Sequence, residues 1–408
     1  MKRWMRGASG SAIDAVAAAL STFVGGVVAL SSLDGNAFAA YALFSTASIA
    51  AATLPQQIAY LPHRLHVNKH TEKYRGRYFG EFRSALATSL IAAVLVLFSG
   101  IPVAWSVSLE TYVGLAGSAA LYVIVSPMQD HMRASMYIAG RSRVAAVMSV
   151  INLAILASVL LVILSVRAEL SPLVLALIPF GALVTANLVS ITVGGWLARE
   201  LPAVPKFLHL SPGLGLKTGA NAMIVQTVAY ATNAIVGVLL GPAALATLEA
   251  ARVAAQPVFV AGSAVNSALT PHIVRSKAAG DERSVWLWTR RALMLVLAIG
   301  AGYSILLPLL ITPLSVVSGR SISYGLSAAR ALAFAAQMTT RPLTQLNLAS
   351  ERYVFAFWTA IASAGGGLVL LVPLIYIIGV YAVPASLLAA ATIRWGIWIF
   401  RLTRGRSE

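Results

Sequence analysis

Twelve stretches of mostly apolar residues follow one another along the chain, at 11–32, 37–60, 83–105, 111–131, 144–165, 171–197, 218–240, 243–270, 291–312, 322–346, 353–376 and 379–400. Each is near the length of about 20 residues that a helix needs to cross the hydrocarbon core of a bilayer. Polar and charged residues are bunched between them, and strand-period alternation is not sustained, which excludes an outer-membrane barrel. Glycine and proline fall inside many stretches, as in Gly25-Gly26, Pro127, Pro179 and Gly365-Gly366-Gly367. Membrane helices tolerate them because neighbouring helices re-satisfy the freed backbone groups. The first stretch runs for 22 residues and the apolar pattern continues straight on, so it is expected to be retained rather than cleaved as a signal. The pattern predicts an all-α integral membrane protein with twelve transmembrane helices.

Composition agrees. Of 408 residues, 59% are hydrophobic and 11% charged, with a mean hydropathy of +0.82. A soluble domain carries about 25% charged residues, so a cytosolic enzyme is excluded, and the apolar majority excludes disorder. The absence of cysteine excludes disulfides, thiolate nucleophiles and cysteine metal sites. Lysine and arginine number 30 against 13 acids, a formal charge of +17. Their placement decides between nucleic acid and membrane as the reason. Twenty-six of the 30 fall at the N-terminus, after even-numbered spans or in the C-terminal tail; Arg167 and Arg320 alone lie on the other side, and Arg252 and Arg330 inside spans. By the positive-inside rule both termini are cytoplasmic and the number of crossings is even. The excess then faces anionic membrane lipid and no nucleic acid is expected. The predicted location is the bacterial inner membrane.

Outer connections are short, about ten residues or fewer, leaving no room for a polymerase or ligase site. No phosphate-cradling loop or H-E-x-x-H helix is present. The chain is therefore expected not to be an enzyme, with no catalytic residues, cofactor or metal. His63, His66 and His70 cluster in a basic cytoplasmic connection and read as a headgroup-facing segment rather than a metal site.

The two halves resemble each other. Leu61-Pro62-His63 matches Thr270-Pro271-His272, Gln129 and Arg133 match Gln337 and Arg341, and Ser142-Arg143 matches Glu351-Arg352, at offsets of 208 to 209. Gly35 and Gly241 occupy corresponding outer turns. Six spans per half make the repeat parallel. The expected organisation is an N-terminal six-helix lobe (1–200), a cytoplasmic linker (201–217) rich in proline and glycine, and a C-terminal six-helix lobe (218–408), with a central cleft between the lobes.

The stretch Glu249 to Pro257, running on to Ser267–Pro271 and Ala278–Asp281, is similar to the eighth-helix region of polysaccharide flippases. These belong to the multidrug/oligosaccharidyl-lipid/polysaccharide exporter superfamily. Arg133 to Arg143 resembles that family's link between helices four and five. The resemblance implies alternating access that moves a polyprenyl-diphosphate-linked oligosaccharide from the cytoplasmic to the periplasmic leaflet, for surface polysaccharide such as the O-antigen of lipopolysaccharide. Polymerase components would be partners. Twelve spans disfavour the fourteen-helix lipid II branch. The alternative in the same superfamily is a cation-coupled multidrug or small-molecule antiporter. That reading calls for acids in the spans, and the chain has essentially Asp14 and Glu249 there.

A charge inside a span normally faces a cavity or a partner. Arg252 and Arg330 are thus candidate ligands for a diphosphate or acidic sugar, guanidinium being suited to bidentate phosphate contacts. Glu249 lies three residues before Arg252 on one face and could simply neutralise it, while Arg330 could snorkel. Asp14 sits where the resemblance places a proton or sodium coupling group, or is a helix-start acid favoured by the macrodipole. Gln129 with Arg133, and Gln337 with Arg341, read as a cytoplasmic gate, as headgroup access or as positive-inside anchors. Gln56, Gln57, Asn221, Gln226, Asn233, Gln256, Asn266 and Gln337 suit sugar hydroxyls or interhelical hydrogen bonds. Of these, Gln226, Asn233 and Gln337 join Arg252, Arg330 and Glu249 as the candidate substrate contacts. Tyr122, Tyr230 and Phe334 are candidate cleft aromatics.

The native chain lacks cysteine, so single-cysteine variants report topology directly. Ser276→Cys is expected to react with a membrane-impermeant maleimide only from the cytoplasmic side and Ser321→Cys only from the outside; the reverse pattern would overturn the orientation.

Overall fold

Hydrocarbon offers a backbone no hydrogen-bonding partner, and a helix satisfies its own. In a computed structural model that describes residues 2–60, 82–138, 141–197, 212–349 and 353–404, the chain is accordingly helical almost throughout. The helices are α1 (Lys2–Ser32), α2 (Gly35–Pro55), α3 (Phe82–Leu97), α4 (Leu109–Ile138), α5 (Ser142–Val166), α6 (Pro172–Leu197) and α7 (Pro212–Leu239). They continue as α8 (Pro242–Ala278), α9 (Glu282–Ser318), α10 (Tyr324–Thr339), α11 (Arg341–Ala349), α12 (Tyr353–Ile378) and α13 (Ala382–Arg404). Ten stretches of the described residues are long and apolar enough to cross a membrane, the last of them, Val354–Arg401, holding both α12 and α13.

Two features depart from the expected spans. The stretch 322–346 is not one helix: it breaks at Thr340 into α10 and α11. The Thr340 hydroxyl turns back onto the Gln337 carbonyl at 2.8 Å, and Pro342, which lacks an N–H, suits only the first turn of a new helix. Sixteen residues of α10 span about 24 Å, short of the full hydrocarbon thickness. At the other end of the chain α1 begins at Lys2, well before the apolar residues do.

The chain divides into two units, Met1–Gln226 and Thr227–Glu408. The division falls inside α7, beyond the predicted linker 201–217, whose residues 201–211 lie outside the described residues, as does the histidine cluster. The two units share several packing pairs, while the extensive contact of α1 with α5 has no comparable counterpart of α7 on α12 among the described residues. In the first, α2, α3 and α4 pack on one another, α4 on α6, and α5 on α6; in the second, α8, α9 and α10 pack on one another, α10 on α13, and α12 on α13. The corresponding outer turns differ in detail. Gly241 opens α8 with φ +84°, where only glycine is unstrained, whereas Gly35 follows Asp34, whose carboxylate caps α2 by accepting from the Ala37 N–H at 2.8 Å. Between α8 and α9, exposed Asp281 accepts from Ser284, and that hydrogen bonding holds its carboxyl below the usual carboxylate range.

Lipid removes the hydrophobic drive between helices, so close approach of small residues supplies much of the packing energy. The second unit's core shows this: Ala255 and Val258 of α8 meet Val296 of α9 and Ala331, Phe334, Ala335 and Met338 of α10. Gly300 is where α9 touches α10, and a Cβ there would overlap that of Ala335. Gly300→Val is therefore expected to cost about 1–3 kcal/mol by overpacking. The measurement is thermal unfolding in detergent, with Gly302→Val, whose position has open space around it, as the near-neutral comparison.

Candidate functional site

The second unit gathers its charges where α8 packs on α10. Glu249 is 1% exposed. Arg252, one turn on, grips it in a two-pronged pair, Nε to Oε2 at 2.8 Å and Nη2 to Oε1 at 2.6 Å. The remaining terminal nitrogen donates to Gln256 Oε1 at 3.0 Å. Spacings of three and four residues place all three on one helical face, so Arg252 is neutralised along α8, one of the two outcomes its sequence allowed. Arg330 on α10 is different. It is 7% exposed, its Nε and Nη1 meet no hydrogen-bond partner among the described residues, and the Phe334 ring, 5.1 Å from its guanidinium carbon, gives it a cation–π contact. Arg330 lies within electrostatic range of both Arg252 and Glu249. The trio Glu249, Arg252 and Arg330 carries one surplus positive charge.

The first unit gathers a second cluster. Asp14 sits in the interior of α1 rather than in its first turn, which corrects the helix-start reading: the helix extends back to Lys2 through a basic, less apolar segment. It is 5% exposed. The Ser149 hydroxyl of α5 donates to Oδ1 at 2.5 Å and the Tyr137 hydroxyl of α4 donates to Oδ2. Arg133, also on α4, approaches Asp14 at 3.8 Å and Asp130 at 3.4 Å, and donates to the Ser149 oxygen at 3.3 Å. Asp130 in turn accepts from Gln56 Nε2 at 2.9 Å. Gln56 opens a π-turn, Gln56–Tyr60, that follows Pro55 at the end of α2; such turns re-aim side chains and recur at functional sites. Tyr60, at its far end, stacks on His131 with ring centroids 4.2 Å apart. A cavity of about 230 Å³ opens between these elements, lined by Gln56, Tyr60, Asp130, His131, Arg133 and Tyr137 among others.

The remaining predicted residues fall elsewhere. Gln129 is buried one turn before Arg133 on the same face of α4, and Arg133 pairs with the two aspartates. Arg341 heads α11, donates to Ser263 Oγ on α8 at 3.0 Å and covers the Phe259 ring, so it ties α11 to α8. Gln337 lies two turns beyond Arg330 on α10. Asn233 is buried on α7, and Gln226 is the last residue of the first unit. Interhelical bonding accounts for Gln56 and for Asn266, which donates to the Met338 carbonyl at 3.0 Å. Tyr122 packs on Phe180 and Phe334 on Phe259. Among the described residues no group of His, Cys, Asp or Glu is arranged to hold a metal. Sequence reasoning missed Tyr137 and Ser149 as partners of Asp14; Tyr137 follows Arg133 by four residues, which was the available signal.

No protein-family model matches the chain, and no curated protein matches it either. Solved structures do match, over nearly the whole length. The eukaryotic MATE transporter AtDTX14 is 14% identical, with 97% of this chain and 96% of that one covered and a TM-score of 0.62. A MOP superfamily transporter from Pyrococcus furiosus is 14% identical over 98% and 96%, with a TM-score of 0.60. The inward-facing conformation of a multidrug resistance MATE family transporter of the MOP superfamily is 12% identical over 96% of both chains, at 0.64. The fold is thus the two-lobe, all-helical fold of these membrane transporters.

Breaking one partner of a buried ion pair costs about 3–5 kcal/mol because the other charge is stranded. Glu249→Gln, which leaves Arg252 beside Arg330, is expected to lose stability on that scale in thermal unfolding of the purified protein. Adding Arg252→Met should recover most of the loss, and an unchanged single variant would show that the pair is dispensable.

Proposed function

We propose that this chain is a secondary transporter that works by alternating access and exports a small molecule in exchange for a cation, with Asp14 as the coupling group. The observation that carries the reading is the setting of Asp14. It is a carboxylate buried in the membrane part of the first unit, held by two hydroxyl donors from two other helices and only loosely by a guanidinium. Neutral donors serve the charged form, and a hydroxyl can rotate to accept once the acid is protonated. The group can therefore exchange a proton or a small cation without dismantling its surroundings. Support also comes from the fold neighbours, two of which are inward- and outward-facing conformations of a multidrug resistance MATE family transporter.

A second reading is favoured by Arg330: translocation of a polyprenyl-diphosphate-linked oligosaccharide to the outer leaflet for surface polysaccharide, with polymerase components as partners. A buried guanidinium with two unfilled donors suits a diphosphate or acidic sugar and repels a cationic drug. Departure from drug export has a parallel in this fold, since the Pyrococcus furiosus neighbour is described as having a binding pocket of reverse polarity that suggests a different function. Gln226, Asn233 and Gln337 would contribute hydrogen bonds to either substrate, and Gln129, Arg133 and Arg341 would govern access from the cytoplasm. In both readings the protein lies in the bacterial inner membrane with both termini cytoplasmic.

Proteoliposomes separate the two. Antiport predicts that an imposed pH gradient drives ethidium flux and that Asp14→Asn lowers the flux at least about tenfold, the effect of losing one strong interaction of roughly 1.4 kcal/mol. Flipping predicts instead that a fluorescent polyprenyl-diphosphate glycan changes leaflet in a manner lost in Arg330→Gln and kept in Arg330→Lys. Flux of neither probe would defeat the transporter reading.

A further inference from the structure

Arg133 stands between two carboxylates and faces Asp14 with Nη1 and Asp130 with Nη2. Its guanidinium is 3.8 Å from Asp14 and 3.4 Å from Asp130, and it is the single cation of the trio, which with both acids ionised carries one surplus negative charge. Asp14 is buried and does not line the cavity; Arg133, Tyr137 and Asp130 do. The cavity therefore meets Asp14 only through the guanidinium and the phenol that hold it. At its other wall the π-turn of α2 engages Asp130 through Gln56. Two acids on different helices, one shared base, and a cavity behind the base form an arrangement in which the charge of one acid sets how fully the other is neutralised.

We infer that Arg133 is a positioning residue that passes the charge state of Asp14 to the cavity, and that this cavity is where the coupling cation enters and leaves on the side that the basic residues assign to the cytoplasm. This rests on the reading of Asp14 as the coupling carboxylate. While Asp14 is ionised, Arg133 is shared, Asp130 is left partly unpaired, and the cavity is negative and draws a cation in. Once Asp14 takes up a proton, Arg133 turns wholly to Asp130, the trio is neutral and the cavity loses its hold. Because Asp130 also grips Gln56, the change reaches the π-turn, the irregular part of α2. Among the described residues, the groups that face Arg133 are Asp14 of α1, Gln56 and Tyr60 of the π-turn, Asp130, His131 and Tyr137 of α4, and Ser149 of α5. Of the arginines at the start of α5, Arg141 donates to the Leu197 carbonyl and Arg143 is exposed.

Ala134 lines the cavity, and a chain without native cysteine makes Ala134→Cys a unique reporter. The full-length protein in detergent is labelled in parallel with a trimethylammonium and a sulfonate methanethiosulfonate reagent. The ratio of the two rates reads the cavity's potential, and changes in access cancel. Neutralising Asp14 with Asp14→Asn is expected to lower the cation-to-anion ratio about tenfold, and Arg133→Gln to raise it about tenfold, each a unit charge at close range in a partly screened site. The double variant should return near the parent ratio, as should Asp14→Glu and Arg133→Lys, which keep the charges and guard against a misfolded asparagine or glutamine variant. A ratio unmoved by Asp14→Asn, or lowered by Arg133→Gln, overturns the assignment. A ratio that responds as stated while no flux depends on Asp14 upholds the electrostatic link and removes the antiport reading. Flux that depends on Asp14 with an unresponsive ratio does the reverse.

Discussion

A charge inside an apolar helix bundle has to be answered by the bundle itself, because water is not there to do it. That constraint organises the interior of this protein. Asp14 is answered by hydroxyls from α4 and α5 and by a shared arginine, which fastens α1 to both helices. Glu249 is answered within its own helix by the fork of Arg252. Arg330 alone keeps two donors with no hydrogen-bond partner among the described residues. The aromatic face of Phe334 offsets only part of the cost of burying it. Among the described residues of the second unit, Arg330 is therefore a buried cation with unmet hydrogen-bonding demand.

Polar uncharged residues carry a second layer of the same logic. Asn152 and Asn187 join α5 to α6 at 2.7 Å, Gln56 joins α2 to α4, and Asn266 joins α8 to the carbonyl of Met338. Such bonds contribute about 0.6–2 kcal/mol each in a membrane. Their greater effect is on register, because a helix that slides by one turn leaves both partners unpaired. Between these points the contacts are made by small residues, so the helices are located by a few polar bonds and brought close by the absence of side chains.

The all-helical membrane fold was legible in the sequence because bilayer thickness sets the length of each apolar stretch. The pairing of Glu249 with Arg252 was legible too, since three residues of spacing on one helix settle who can meet. The break at Thr340 was not: Pro342 signalled it, but prolines are common enough in membrane helices that the signal carries little weight. The surroundings of Asp14 were hidden for a different reason. Ser149 and Tyr137 are 135 and 123 positions away, and a hydroxyl on an apolar helix looks the same whether it bonds its own backbone or a distant acid. The basic residues before Asp14 also made it look like the start of a helix when the helix had begun at Lys2.

The repeat makes the distribution of charge informative. The two units share several packing pairs, yet their charge clusters carry opposite surplus, negative for Asp14, Asp130 and Arg133 and positive for Glu249, Arg252 and Arg330. The sites are not at equivalent positions either: Arg252 and Arg330 correspond to the neighbourhoods of Ser45 and Tyr122, which are uncharged. The shared fold therefore does not by itself fix where charges lie, apart from Arg133, whose counterpart in the repeat is Arg341. A charge inside an apolar bundle costs energy where it lies and is normally answered by a partner or a cavity. The fold alone does not fix a function, which depends on the side chains placed on it.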